Sequence, residues 1–228
     1  MLMDLIQGGF DRYMLMATVL SIPTIIIALC FHESAHGWVA YKMGDSTARN
    51  FGRITMNPAK HFDPMGFLCM LCFGFGWAKP VPINSRNFRN PKWGMVITAL
   101  AGPVSNLLLA LGGMLIFQTA SIFLTNSVFS MVIWYFLYYF CYLNIYLAVF
   151  NLLPVPPFDG SRIFLAFLPS KAYFAVMKYE RVILIVILVL LWTGVISLPF
   201  GWLTNKIFEG FAWLTSQPVN LVAGLINR

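Results

Sequence analysis

Residues 93–158 read WGMVITALAGPVSNLLLALGGMLIFQTASIFLTNSVFSMVIWYFLYYFCYLNIYLAVFNLLPVPPF, and no Asp, Glu, Lys or Arg stands between Lys92 and Asp159. A hydrocarbon core about 30 Å thick takes about 20 apolar residues of α-helix, so this run is long enough to cross twice. Thr125, Asn126 and Ser127 interrupt it near the middle. The pattern predicts a tight helical hairpin, residues 93–124 and then 128–153. Pro154, Pro156 and Pro157 end regular helix beyond that point, because proline lacks the amide proton and disfavours helix at the residue before it.

Two further uncharged runs flank this block, from Arg12 to His32 and from Arg181 to Lys206. The first predicts a span over residues 13–43, kinked at Pro23 and stopped by Gly44. The second predicts a last span over residues 182–203. Residues 65–77 are apolar but too few to cross, and fit a re-entrant or interfacial segment. Composition agrees: 10% of the 228 residues are charged and 59% hydrophobic, against roughly 25% and 45–50% in soluble domains. The reading is an all-α polytopic membrane protein with about four transmembrane helices, forming one membrane-embedded domain. The acidic N-terminal residues Asp4 and Asp11 do not resemble a cleavable signal. Cys30, Cys69, Cys72 and Cys141 lie in apolar context and read as buried packing.

Orientation follows from charge. Residues 42–92 and 159–181 are rich in Lys and Arg, whereas the N-terminus is slightly acidic and residues 125–127 are uncharged. The positive-inside rule places both basic connections in the cytoplasm and the N-terminus outside the cell membrane. The net charge of +7 is a by-product of this topology. It suits anionic lipid headgroups and gives no reason to expect nucleic acid.

The chemistry begins inside the first span, at His32-Glu33-Ser34-Ala35-His36. Histidines four apart on a helix project from one face, about 40° apart, and can both reach one Zn²⁺. Glu33 beside them suits a general base acting on water at that ion. Ionisable groups inside an apolar span are functional by default, because they cost several kcal/mol unless partnered. If hydrocarbon ends near Lys42, His36 lies about 9 Å and His32 about 15 Å below the cytoplasmic surface. A catalytic zinc site takes three protein ligands. The remaining candidates are His61, Asp63, Asp159 and the peripheral acids. Asp159 stands out, since it follows the proline-broken stretch that closes the hairpin and emerges on the same side as His36.

Taken together, these residues resemble the site-2 protease family of intramembrane zinc metalloproteases. Besides His32–His36, the resemblance rests on residues 52–66 (GRITMNPAKHFDPMG), 76–84 (GWAKPVPIN), 101–106 (AGPVSN) and 151–159 (NLLPVPPFD). It implies His32, His36 and Asp159 as zinc ligands and Glu33 as general base. It implies too that Asn151 orients substrate or stabilises an oxyanion. The catalytic core is then residues 13–162, without PDZ or CBS domains. The family's substrates are single-span membrane proteins, such as an anti-sigma factor. Met56 and Ser161 depart from the usual leucine and glycine. The rival readings are a non-catalytic scaffold and a metal transporter, though a transporter should repeat its ionisable groups across several spans, and this chain does not. His61 and Asp63 read as turn or packing residues, Asn106 and Asn144 as helix–helix hydrogen bonds, and residues 78–84 as a strand platform for substrate.

Overall fold

The computed structural model describes residues 12–73, 76–124, 127–193 and 197–226. Its elements are α1 (Arg12–Lys42), α2 (Thr47–Asn50), α3 (Pro58–His61), α4 (Pro64–Phe73), a 3₁₀ turn (Ser85–Asn87), α5 (Pro91–Phe123), α6 (Val128–Asn151), α7 (Asp159–Leu165), α8 (Ser170–Lys178), α9 (Glu180–Trp192) and α10 (Ser197–Ile226). Among the described residues, three stretches are long and apolar enough to cross a bilayer: Leu15–Lys42 within α1, all of α5 and all of α6. They pack on one another as a three-helix bundle, with α10 laid against α5 and α6 and α7 against α5. The fold is that of an all-α polytopic membrane protein.

Local chemistry explains the boundaries. At the end of α1, the Asp45 amide donates to Ala40 O at 2.9 Å and the Gly44 amide to Tyr41 O at 3.1 Å. This is a Schellman cap, and it needs the left-handed backbone that Gly44 supplies at φ +115°. Asn90 caps α5 by accepting from the Trp93 amide, with Pro91 in the first turn. Ser127 caps α6 by accepting from the Ser130 amide at 3.1 Å. Residues 125–126 of the expected hairpin turn, and Asp4 and Asp11, lie outside the described residues. α1 runs on through Pro23 as one helix.

Two apolar segments differ from simple spans. α4 has 10 residues, about 15 Å of helix, half the hydrocarbon thickness. Residues 182–203, the expected last span, take in most of α9 and the start of α10, and residues 194–196 between them lie outside the described residues. α9 stops at Trp192 after 13 residues, about 20 Å of helix, and α10 starts afresh at Ser197 and runs 30 residues. Pro199 sits in the first turn of α10, where its missing amide proton is tolerated.

The connection between α1 and α5 is tied back onto α1. Thr55 O accepts from Ser34 Oγ at 2.6 Å and from His61 Nε2 at 2.8 Å. Asp45 is wholly buried and holds the far end. It accepts from the Thr47 amide at 3.0 Å, the Asn84 amide at 2.7 Å and Asn87 Nδ2 at 2.8 Å. Burial pushes its carboxyl up, but the hydrogen bonds from Thr47, Asn84 and Asn87 outweigh that and hold it below its ordinary value. A depressed folded-state value means the stabilisation is complete above the unfolded value of about 3.9 and fades as pH falls through the folded one. Asp45→Asn is therefore expected to destabilise the protein by about 1–3 kcal/mol at pH 7. The melting difference in detergent should shrink towards pH 3; a difference that stays constant with pH would contradict this account.

Candidate active site

His32 and His36 sit one turn apart on α1 and face α5, both buried. Asp159 opens α7, and the close packing of α7 on the end of α6 carries it to them. That packing depends on Gly160: a Cβ there would come 2.2 Å from Leu152 O. Asp159 Oδ2 lies 3.0 Å from His32 Nε2 and 3.1 Å from His36 Nε2, and the two Nε2 atoms are 3.0 Å apart. One potential ligand atom from each of the three residues falls within 4.8 Å of the others.

The outward-facing ring nitrogens settle what this cluster can hold. His36 Nδ1 lies 2.7 Å from Thr98 O, an atom that can only accept, so Nδ1 carries a proton and donates. His32 Nδ1 lies 2.6 Å from Asn106 Oδ1, another acceptor. In their neutral forms both rings then present a bare Nε2 lone pair to an ionised carboxylate. Three acceptors facing one another at about 3 Å repel unless a cation or proton sits among them. Two imidazole nitrogens and one carboxylate oxygen are a ligand set suited to Zn²⁺.

The close approach of α5 is made by Gly102. A Cβ at this position would lie 2.5 Å from His32 Cε1 and His36 Nε2 and 2.6 Å from His32 Nε2. Glu33 turns to the neighbouring face of α1, where Oε2 accepts from the Val81 amide at 2.8 Å. Val81 belongs to residues 76–84, which run without helix or strand pairing. That segment is anchored where the Lys79 amide donates to His61 O at 2.9 Å and Lys79 O accepts from Arg53 Nη2 at 2.6 Å.

The remaining candidates are placed elsewhere. Asn151, in the last turn of α6, donates back to Leu147 O at 3.0 Å. His61 packs against the back of α1 through Thr55 O, and Asp63 Oδ1 accepts from the Gly66 amide at 2.9 Å near the start of α4. Cys30 and Cys141 are buried and free, Cys69 is free, and the Cys72 side chain lies outside the described residues. The sequence did not reveal Gly102 or the contact of Asn106 with His32. The signal for them was the segment 101–106 (AGPVSN), which carried the family resemblance without assigning either residue a role.

The profile of peptidase family M50 matches residues 20–194. YwhC of Bacillus subtilis (strain 168), which bears a zinc metalloprotease name, is 43% identical over 169 residues, covering 73% of this chain and 77% of YwhC. Two others bear names of the same kind. MJ0611 of Methanocaldococcus jannaschii is 29% identical over 162 residues, covering 68% of this chain and 74% of MJ0611. Rip2 of Mycolicibacterium smegmatis is 26% identical over 215 residues, covering 92% of this chain and 80% of Rip2. No solved structure matches the chain.

Proposed function

The chain belongs to peptidase family M50 and is a multi-pass membrane zinc metallopeptidase acting on membrane proteins, and from that premise we propose that His32, His36 and Asp159 hold its catalytic zinc and that Glu33 is its general base. The observation carrying this reading is the convergence of two imidazole Nε2 atoms and one carboxylate oxygen in a buried pocket between α1, α5 and α7. Zinc, when bound, acidifies water and polarises a carbonyl.

The protein's own residues do the rest. Glu33 accepts the proton of the attacking water and returns it to the leaving amine, and the Val81 amide holds its carboxylate in place meanwhile. A substrate must arrive unwound, since the amides of an intact membrane helix are bonded internally and shielded. Residues 76–84 lie beside Glu33 outside any helix and can receive that unwound backbone by strand addition. Asn151, in exchange for its bond to Leu147, orients the same backbone.

The substrate we infer is a single-span membrane protein, an anti-sigma factor being one such. Positive-inside bias puts the N-terminus outside the cell membrane and the site nearer the cytoplasmic face, with His36 about 9 Å of helix from Lys42. Residues 13–162 form the catalytic core of a single domain.

Metal analysis tests the ligand set. The purified protein is expected to hold one zinc per chain, and Asp159→Ala to leave it substoichiometric after dialysis against a weak chelator. Full zinc retention in that variant would remove Asp159 from the site.

A further inference from the structure

Among the described residues, Asn106 on α5 and Asn144 on α6 are the largest polar side chains with no exposed surface. Two amides at the centre of a membrane bundle cost several kcal/mol unless their hydrogen-bonding groups are satisfied. Here they are satisfied in one direction only. Backbone carbonyls accept and never donate, so Asn144 turns Nδ2 to Phe140 O, at 2.8 Å. Its Oδ1 then accepts from Asn106 Nδ2 at 2.9 Å, and that same nitrogen donates to Ala28 O at 3.2 Å. Asn106 is thereby left with Oδ1 facing His32 Nδ1 at 2.6 Å. The ring must keep its proton on Nδ1, and its Nε2 is free to face Asp159 and His36.

We propose that Asn106 is a positioning residue for the zinc centre. Held in one amide orientation by Asn144, it fixes the tautomer and the rotation of the His32 ring. The inference rests on the reading of His32 as a zinc ligand. It also exposes an asymmetry between the two histidines. His36 is oriented by the Thr98 carbonyl, part of the helix backbone, whereas His32 is oriented by a side chain. Outer partners of this kind are worth about 10–100-fold in metal affinity.

The competing account is that the two amides merely fasten α1, α5 and α6 together. The accounts part at one substitution. Asn106→Asp keeps an acceptor for His32 Nδ1 but loses both donations, to Ala28 and to Asn144. Asn106→Leu loses all three at similar volume. The experiment measures the zinc dissociation constant of the full chain in detergent, by competition with a chromophoric chelator. The melting temperature and the visible spectrum of the cobalt(II)-substituted protein are recorded alongside.

Positioning predicts that Asn106→Leu weakens zinc binding about 10–100-fold and alters the cobalt spectrum, while Asn106→Asp stays near wild type on both. Both variants melt lower. A fastening role predicts equal zinc affinity in the Asp and Leu variants, and that result overturns the proposal, as does wild-type affinity in Asn106→Leu. Should the Leu variant fail to fold, Asn144→Leu, which frees the Asn106 amide to turn, must bind zinc more weakly than Asn106→Asp; the opposite order overturns the proposal. His32→Ala separates the two levels. If it keeps its zinc, the ligand reading fails; if it loses zinc while Asn106→Leu does not, only the positioning role falls.

Discussion

Glu33→Gln is expected to abolish peptide-bond cleavage and to leave zinc bound. Glutamine has the size of glutamate and keeps an oxygen that can accept from the Val81 amide, so the segment at residues 76–84 stays seated. It cannot take a proton from water. General-base catalysis contributes about 10²–10⁴-fold, and the loss should fall in that range, on kcat and kcat/KM alike. The measurement is cleavage of a single-span substrate co-reconstituted in liposomes, with zinc content determined on the same preparation. Cleavage within tenfold of wild type would mean that another group takes the proton. Zinc loss in this variant would mean that Glu33 supports the metal centre directly.

Gly102→Ala is expected to be equally damaging by a different route. Its Cβ would lie 2.5 Å from two ring atoms, closer than real Cβ contacts come. The rings cannot simply swing away, because each is pinned through Nδ1, His36 to Thr98 O and His32 to Asn106 Oδ1. Either α5 retreats from α1 or a ring turns and its Nε2 leaves the cluster. Zinc affinity and cleavage should both fall by about 100-fold, the scale of lost ligand orientation. The comparison is Gly112→Ala on the same helix, where a Cβ meets nothing within 4 Å. There the gain in helix propensity is about 1 kcal/mol, so melting should rise slightly with activity unchanged. Wild-type zinc binding in Gly102→Ala would show that the close approach of α5 is dispensable.

The three helices of the central bundle were legible for simple reasons. A charge-free run twice the length of a bilayer crossing, broken by three polar residues, has few alternatives to a hairpin. Gly44 was readable as a stop because a Schellman cap demands a residue at ease at positive φ. His32 and His36 were readable as a pair because helical periodicity alone puts them on one face. The ends of α9 and α10 within residues 182–203 were not legible for an equally physical reason. Apolarity measures solvent preference and carries little information about where a backbone bends.

Asp159 lies between these cases. Its position after a proline-broken stretch made it a candidate, but His61 and Asp63 were equally able chemically. Folding separated them: His61 and Asp63 are occupied by Thr55 O and the Gly66 amide, while Asp159 Oδ2 reaches both imidazoles. Asn106 had only the bland reading of a helix–helix hydrogen bond. That reading was true of its Nδ2 and silent about its Oδ1.

By itself, then, the sequence determined the lipid-embedded character of the chain, its central helices, and the pairing of two histidines on one face of α1. These follow from properties local to one segment: hydrophobic length, turn residues, and spacing along a helix. Only the tertiary structure decided which carboxylate completes the cluster, which glycine admits the rings, and which amide holds His32. Those are matters of contact between segments up to 127 residues apart, and spacing along one helix says nothing about what a second helix brings to meet it.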